Sequence, residues 1–298
     1  MMQKVLVLAG PTAVGKTELS LRLAELFDCE IISGDSIQIY RGFDIGSAKA
    51  TAEERARVPH YLIDEKDPSD RYSVAEFQQR ARACIGEIAS RGKLPFIVGG
   101  TGLYIRACLY DYEFPEEEGQ DDPLPELSDE ELYRKLQEVD PLSAEKIHPN
   151  NRKRLLRAYN VYLKEGKTMS ERVASQNHEP VYDIKIIGLT MDRQELFKRV
   201  HVRMQQMLED GLIEEIRTLL DSGVTFRDQA MQGIGYKEFE AYFNGTAGLE
   251  ECLAEAEKHT RQFIKRQYTW FNHQLPVSWH DPKEKEEIIE EITQWLKN

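Results

Sequence analysis

The sequence lacks the cysteine spacing of a disulfide-stapled or zinc-binding protein. Its 298 residues include four cysteines with no C-x-x-C pair, and the seven histidines are equally scattered. A disulfide framework and a zinc site are therefore both unsupported, as expected of a protein in a reducing environment, and we predict a cytoplasmic location. The cysteines are Cys29, Cys84, Cys108 and Cys252.

Long hydrophobic runs are also missing. No apolar stretch approaches the roughly 20 residues of a membrane-spanning helix. The N-terminal run Val5–Ala9 is too short for the core of an export signal, so we predict no membrane association. Negative charge predominates, and the net charge of −13 argues against a general polyanion binder. Local basic patches nevertheless decide affinity for nucleic acid.

A glycine-rich loop near the N-terminus is the most specific motif that the sequence does contain. It follows an apolar strand-like run and precedes a helical pattern, which is the context of a phosphate-binding P-loop. Glycines let backbone N–H groups turn inward, and the helix N-terminus adds positive potential. In such a loop the lysine pairs with the terminal phosphates and the following hydroxyl can contact Mg²⁺. The loop residues are Gly10, Pro11, Thr12, Ala13, Val14, Gly15, Lys16 and Thr17.

Short apolar strands alternate with amphipathic helices through most of the chain. This alternation predicts a P-loop NTPase-like α/β fold, in which helices cover both faces of a parallel sheet. Ser73 and Asp192 carry the signals of helix N-termini. The ligand is then expected at the carboxyl ends of the strands. The predicted strands are Val5–Ala9, Glu30–Ser33, Tyr61–Asp64, Pro95–Gly99, Ile184–Thr190 and Val277–His280.

The alternation stops between about residues 115 and 181. This stretch opens with the acidic segment Glu116–Asp122, which is typical of a solvated linker, and continues with helical patterns that contain no strand candidate. We therefore predict an all-helical insertion domain, residues 115–181, within a P-loop catalytic core made of residues 1–114 and 182–298.

Polar residues follow the second and the fourth predicted strands. Asp35 could hold Mg²⁺ or take a proton from a nucleophile; a helix-capping role without chemistry is the less favoured alternative. Thr101 offers a hydroxyl within a glycine-rich turn, Gly99–Gly102, whose glycines permit close backbone approach. By itself this turn could be purely structural.

Two basic clusters stand out in this acidic chain. Basic residues interleaved with aromatic residues suit RNA, because phosphates need cations and unstacked bases need flat partners. Each cluster alone is also typical of a solvated helix face. A further glycine-bearing turn, residues 232–238, could meet a phosphate or a base edge, or be a plain loop. The clusters are Arg152, Lys153, Arg154 and Arg157, then Lys258, His259, Arg261, Lys265 and Arg266 with Phe263, Tyr268, Trp270 and Phe271.

Taken together, these segments resemble the tRNA isopentenyltransferase family, the bacterial tRNA dimethylallyltransferases. The resemblance spans nearly the whole chain. The P-loop is generic, but the other segments are specific in this order and spacing. They are residues 35–41 (DSIQIYR), 99–104 (GGTGLY), 147–151 (IHPNN) leading to Arg154 and Arg157, 232–238 (QGIGYKE) and 265–267 (KRQ).

The resemblance implies an activity: transfer of a dimethylallyl group from its diphosphate to N6 of the adenosine immediately 3′ to the tRNA anticodon. The implied partners are the tRNA anticodon stem-loop and dimethylallyl diphosphate, the implied cofactor is Mg²⁺, and a monomeric enzyme is expected. No nucleotide would be consumed. The insertion would be a mobile tRNA-binding domain.

The resemblance also implies roles for individual residues. Asp35 would take the proton from the adenine amine, Thr101 would contact the reacting region, and Gln38 would help hold the extruded base. Arg217 would join the P-loop in binding diphosphate, or be a solvated helix cation. The residues implied to bind tRNA are Asp35, Ser36, Ile37, Gln38, Thr101, Lys153, Arg154, Arg157, Gln232, Gly233, Gly235 and Lys237.

Two alternatives use the same P-loop differently. A small-molecule kinase would bind ATP there and use Asp35 to activate a hydroxyl, which predicts ATP turnover. A nucleotide-gated RNA-binding protein would bind GTP or ATP and leave the RNA chemically unchanged.

Overall fold

The computed structural model describes residues 2–114, 126–175 and 178–298. The strands of these residues are β1 (Lys4–Ala9), β2 (Cys29–Ser33), β3 (His60–Tyr61), β4 (Leu94–Gly99), β5 (Asp183–Leu189) and β6 (Ser278–His280). They form one sheet in the order β3-β2-β4-β1-β5-β6, and every paired neighbour runs parallel. The predicted α/β class is confirmed.

Helices follow most of the strands, and two N-terminal signals in the sequence act as predicted. Ser73 Oγ accepts from the Glu76 N–H at 3.1 Å, and Asp192 Oδ1 accepts from the Glu195 N–H at 3.0 Å. The helices of the described residues are α1 (Lys16–Phe27), α2 (Ala52–Arg57), α3 (Val74–Ser90), α4 (Gly102–Leu109), α5 (Asp129–Val139), α6 (Pro141–Lys146), α7 (Arg152–Glu165), α8 (Met169–Ser175), α9 (Arg193–Glu209), α10 (Leu212–Asp221), α11 (Glu240–Phe243), α12 (Leu249–Gln274) and α13 (Lys285–Lys297).

The third strand is shorter than the sequence predicts. β3 ends at Tyr61, because Leu62 has φ 61° and Asp64 has φ 56°, a left-handed backbone that cannot continue a strand. The Asp64 carboxylate is instead paired with Lys49 and Arg55, at 2.5 and 2.7 Å. The apolar residues beyond β3 therefore belong to a loop that ion pairs hold in place.

The core lies around β1, at the centre of the sheet. Val5, Leu6, Val7 and Ala9 have no exposed surface. Side chains alternate between the two faces of a strand, so an uninterrupted buried run means that both faces are covered, as in other parallel sheets.

The chain divides into two compact units. One comprises residues 1–110 and 180–298 and contains the sheet; the other comprises residues 111–179. The second unit has its own hydrophobic core, in which Leu132 and Leu136 of α5 pack with Leu155 and Ala158 of α7. The sequence predicts the boundaries of the insertion at 114/115 and 181/182. The boundary at 114/115 lies where the described residues end, and the acidic segment 116–122 lies outside them.

Close approach of β2 and β4 brings two loop segments together at the carboxyl edge of the sheet. The Thr101 N–H donates to Gly34 O at 3.2 Å, and the Gly34 N–H donates to Val98 O at 2.8 Å. A Cβ on Gly99 would lie 2.3 Å from Gly34 O, so only glycine permits this approach. The segments that carry Asp35 and Thr101 are thereby joined.

Candidate active site

A cavity of about 540 Å³ opens at the carboxyl ends of β1, β2 and β4, within the sheet-containing unit. This is the edge where a parallel α/β sheet is expected to bind its ligand. Most of the predicted site residues of this unit meet there. Those that line the cavity are Thr12, Ala13, Lys16, Thr17, Asp35, Ser36, Ile37, Gln38, Thr101, Gln232, Gly233, Gly235 and Lys237.

The glycine-rich loop adopts a conformation that suits an anion. Gly10 and Gly15 have φ of 150° and 104°, and Ala13 also lies in the left-handed region at 63°. Gly15 has no side chain with which to cap α1, so the first N–H groups of that helix remain for a ligand. Val14 is fully buried, so its side chain faces the core and not the phosphate site.

Lys16 is held inside the loop. Its Nζ donates to Gly10 O at 2.9 Å and to Pro11 O at 2.7 Å. Burial and, to a lesser extent, the charge of Arg203 lower the pKa of this ammonium to about 7, and the Asp35 carboxylate opposes both effects. Because burial disfavours the charged form of Lys16 and a nearby anion would favour it, the cavity suits an anionic ligand.

Asp35 is fixed by its own backbone turn. Its Oδ1 accepts from the Ile37 N–H at 2.8 Å and from the Gln38 N–H at 3.4 Å. The segment after Asp35 is a turn and not a helix, so the helix-capping role that the sequence left open is wrong; Oδ1 stabilises the turn instead. The carboxylate lines the cavity close enough to Lys16 and Arg203 to alter their pKa values, and it therefore also belongs to the charged site.

Gln38 is occupied by protein partners. Its Oε1 accepts from Ser33 Oγ at 2.9 Å, while Nε2 donates to Ser47 O and Ala48 O, both at 3.3 Å. The side chain therefore joins β2 to the loop at residues 44–48. Binding of an extruded base by this residue stays a prediction.

Arg203 of α9 and Arg266 of α12 line the cavity, although neither is predicted from the sequence as a diphosphate ligand. Burial lowers the pKa of Arg203, and Asp35 opposes the shift. Arg217, the arginine predicted for that role, is exposed on α10, with Nη1 4.0 Å from Glu214. The sequence contains no signal that separates the two arginines, because each lies next to a buried apolar residue of an amphipathic helix, Met204 in α9 and Ile216 in α10.

The apolar part of the cavity comes from helices α9 and α12. Val200, Met204 and Met207 of α9 and Phe263 of α12 line it. The basic and aromatic cluster recognised in the sequence is therefore divided by the fold, with Phe263 and Arg266 on the cavity wall and Lys258 exposed beside Glu255.

The predicted tRNA-binding residues of α7 lie in the helical unit. Lys153, Arg154 and Arg157 are exposed, whereas Leu155 and Ala158 of the same helix are buried in the core of that unit. Asn151 Oδ1 caps α7 by accepting from the Arg154 N–H at 3.3 Å. The three cations thus share the solvent-facing side of one helix.

Comparisons with known proteins agree on one family. The sequence model of the IPP transferase family matches residues 38–274. A tRNA dimethylallyltransferase of Anoxybacillus flavithermus is 50% identical over 283 residues, which are 94% of this chain and 90% of that protein.

Solved structures give the same result. The crystal structure of a tRNA Δ2-isopentenylpyrophosphate transferase from Staphylococcus epidermidis matches with a TM-score of 0.74 and 42% identity, covering 99% of both chains. A eukaryotic dimethylallyltransferase solved acting on tRNA matches with a TM-score of 0.81 and 31% identity, over 93% of this chain and 74% of that one.

Proposed function

The chain belongs to the IPP transferase family, and we propose that it transfers a dimethylallyl group from dimethylallyl diphosphate to N6 of the adenosine immediately 3′ to the tRNA anticodon, position 37, releasing diphosphate. The observation that carries this proposal is the cavity in which Lys16, Arg203, Asp35 and Thr101 meet apolar side chains. A cationic half suits the diphosphate, and an apolar half suits the prenyl chain.

The P-loop and its neighbours would bind the diphosphate. Backbone N–H groups at the start of α1 would donate to its oxygens, and Lys16 would exchange the Gly10 and Pro11 carbonyls for phosphate. Arg203 would pair with the same group. These donors would stabilise the negative charge that builds up on the diphosphate as the allylic C–O bond breaks.

Asp35 would act on the acceptor. The N6 electron pair forms the new N–C bond, the C–O electron pair leaves with the diphosphate, and the N6 proton passes to the Asp35 carboxylate. Thr101, held by its backbone bond to Gly34, would place its hydroxyl beside the reacting atoms. Met204 and Met207 would cover the prenyl chain and exclude water from the electrophilic carbon.

The donors present fit Mg²⁺. This ion typically takes one or two protein oxygens together with phosphate oxygens and waters, and Thr17 and Asp35 line the cavity beside the proposed diphosphate site. When bound, Mg²⁺ would supply further positive charge to the leaving group.

The helical unit would bind the anticodon stem-loop. Its three exposed cations on α7 suit a phosphate backbone, and an unpaired loop base is cheap to extrude. Among the described residues, no helix combines the length and apolar character that crossing a membrane requires. A monomeric state and a cytoplasmic location stay predictions.

The direct test supplies two labelled donors in parallel. The protein is incubated with Mg²⁺, unmodified tRNA with adenosines in its anticodon loop, and either labelled dimethylallyl diphosphate or labelled ATP. We expect the prenyl label on the tRNA and no consumption of ATP. ATP turnover without prenylated RNA would instead favour the kinase alternative, which the family assignment does not support.

A further inference from the structure

Glu215 of α10 receives hydrogen bonds from four donors. Its Oε2 accepts from the N–H groups of Asp44 and Ile45, at 3.0 and 2.7 Å. Its Oε1 accepts from the Gly46 N–H at 3.2 Å and from the Tyr236 hydroxyl at 2.7 Å. One carboxylate therefore joins two segments that are distant in sequence.

Only a carboxylate satisfies this arrangement. A carboxylate accepts at both oxygens, whereas the amide of glutamine would replace one of them with a donor. That donor would face either the N–H groups of Asp44 and Ile45 or the N–H of Gly46. A partly buried backbone N–H that loses its acceptor is unfavourable, so the segment would move to find another one.

The two joined segments form walls of the cavity. Gly46 and Tyr236 both line it, and they are in close contact. A Cβ on Gly46 would lie 2.4 Å from the Tyr236 ring. The Tyr236 ring also packs on Phe43, with ring centroids 4.8 Å apart. Burial and the neighbouring Glu215 charge raise the pKa of Tyr236 well above its usual value, so its hydroxyl remains a donor.

The contacts continue from Glu215 to Asp35. The segment that Glu215 holds leads directly to Ser47 and Ala48, whose carbonyls accept from Gln38 Nε2. The Gln38 N–H in turn is one of the two donors to Asp35 Oδ1. These contacts are connected by the short chain segment from Gly46 to Ala48 and by Gln38 itself, so displacement of the 44–48 segment would displace the turn that carries Asp35.

The P-loop is held separately. Lys16 bonds to the carbonyls of its own loop, and the four partners of Glu215 all lie outside residues 10–17. The geometry points to Glu215 as a positioning residue for the acceptor half of the reaction: it orients Asp35 and the adenine-facing wall and leaves the diphosphate half unaffected. This inference rests on the proposed function.

The experiment compares Glu215→Gln with Glu214→Gln, an exposed neighbour on the same helix whose carboxylate lies 4.0 Å from Arg217. Transfer is measured with an anticodon stem-loop RNA at saturating dimethylallyl diphosphate. Affinity is measured with inorganic diphosphate in the absence of Mg²⁺, so that Asp35 does not contribute to it as a metal ligand. For Glu215→Gln we expect kcat/KM for the RNA to fall about 10- to 100-fold with unchanged diphosphate affinity. Glu214→Gln should match the wild type in kcat/KM for the RNA and in diphosphate affinity.

Tyr236→Phe gives a second variant that keeps the carboxylate and its three backbone donors. It should lower kcat/KM for the RNA by a smaller factor, again with unchanged diphosphate affinity. Equal losses of RNA turnover and diphosphate affinity in Glu215→Gln would make Glu215 a general structural residue and overturn the inference. So would kinetics identical to those of Glu214→Gln. Absence of transfer by the wild-type chain would overturn the proposed function itself, which separates the two failures.

Discussion

Gln267 of α12 donates from Nε2 to Gly100 O at 2.9 Å, at a point where Gly100 has no room for a side chain. A Cβ there would lie 2.5 Å from Nε2 and 3.2 Å from Gly10 O. Two residues further on, a Cβ at Gly102 would lie 2.2 Å from the Trp270 ring. The glycines of the turn after β4 thus let α12 pack directly on the edge of the active-site cavity.

Replacing Gly100 with alanine should therefore push the Gln267 amide away from Gly100 O and crowd Gly10 O. We expect a destabilisation of about 1–3 kcal/mol, the usual cost of overpacking, together with a marked loss of transfer. Denaturant unfolding measures the first effect. Gly86→Ala is the control, because nothing lies within 4 Å of a Cβ at that position in α3, and it should stabilise the protein by up to about 1 kcal/mol. A Gly100→Ala variant as stable as the wild type would contradict this account of the packing.

The lowered pKa of Lys16 predicts that the protein takes up a proton when diphosphate binds. With a pKa of about 7, most Lys16 side chains carry a neutral amine at pH 8 before an anion binds. A bound anion raises that pKa, so binding at pH 8 should take up close to one proton, and affinity should fall as pH rises above 7. Calorimetry in buffers of different ionisation enthalpy measures the uptake.

Inorganic diphosphate itself also gains or loses protons on binding. The proton uptake due to Lys16 is therefore the difference between the wild type and Lys16→Met under the same conditions. Equal proton uptake by both proteins would mean that Lys16 is already charged before diphosphate binds.

Asp35→Asn should abolish most of the transfer and keep the fold of the turn. The amide oxygen can still accept from the Ile37 N–H, but the side chain can no longer take the N6 proton. We expect kcat to fall by about 10²- to 10⁴-fold, while RNA affinity in a filter-binding assay is retained. Loss of RNA binding instead would make Asp35 a docking residue.

Arg203 and Arg217 form a matched pair for the diphosphate site. Arg203→Gln removes a charged donor from the cavity and should weaken binding of inorganic diphosphate by about 1.5–3 kcal/mol. Arg217→Gln changes an exposed side chain near Glu214 and should leave that affinity close to the wild-type value. The opposite ranking would return the role to Arg217, as the sequence predicts.

The cations of α7 predict salt-sensitive RNA binding. Replacing Lys153, Arg154 and Arg157 with glutamine should weaken binding at low salt. It should also reduce the slope of log affinity against log salt by about 0.7–0.9 for each RNA phosphate that the variant no longer neutralises. Lys297→Gln, an exposed charge at the end of α13, is the control. An unchanged slope in the triple variant would exclude this helix from the RNA interface.

Much of the fold follows from local patterns. Val5–Ala9 predicts a central strand because a continuous apolar run can be buried only where both faces are covered, and all of it is buried. Ser73 and Asp192 begin helices because their side chains accept from free N–H groups of the first turn. The P-loop is predictable for the same reason: its strand, glycines, lysine and helix are adjacent in sequence.

Other features depend on contacts between distant residues. Arg203, not Arg217, reaches the cavity because α9 passes the sheet edge, and both arginines look alike as helix cations in the sequence. Glu215 of α10 accepts from four donors and so joins residues 44–46 to residue 236. No spacing pattern in the sequence predicts these bonds.

The sequence by itself determined the sheet, the phosphate loop and the family of this protein, because each rests on neighbouring residues whose spacing is fixed by the chain. The tertiary structure alone decided which arginine faces the cavity, that Gln38 braces a loop, and that Glu215 holds two walls together. These features depend on how helices and loops pack. Packing brings together side chains that are far apart along the chain, and their separation in sequence does not predict their contact.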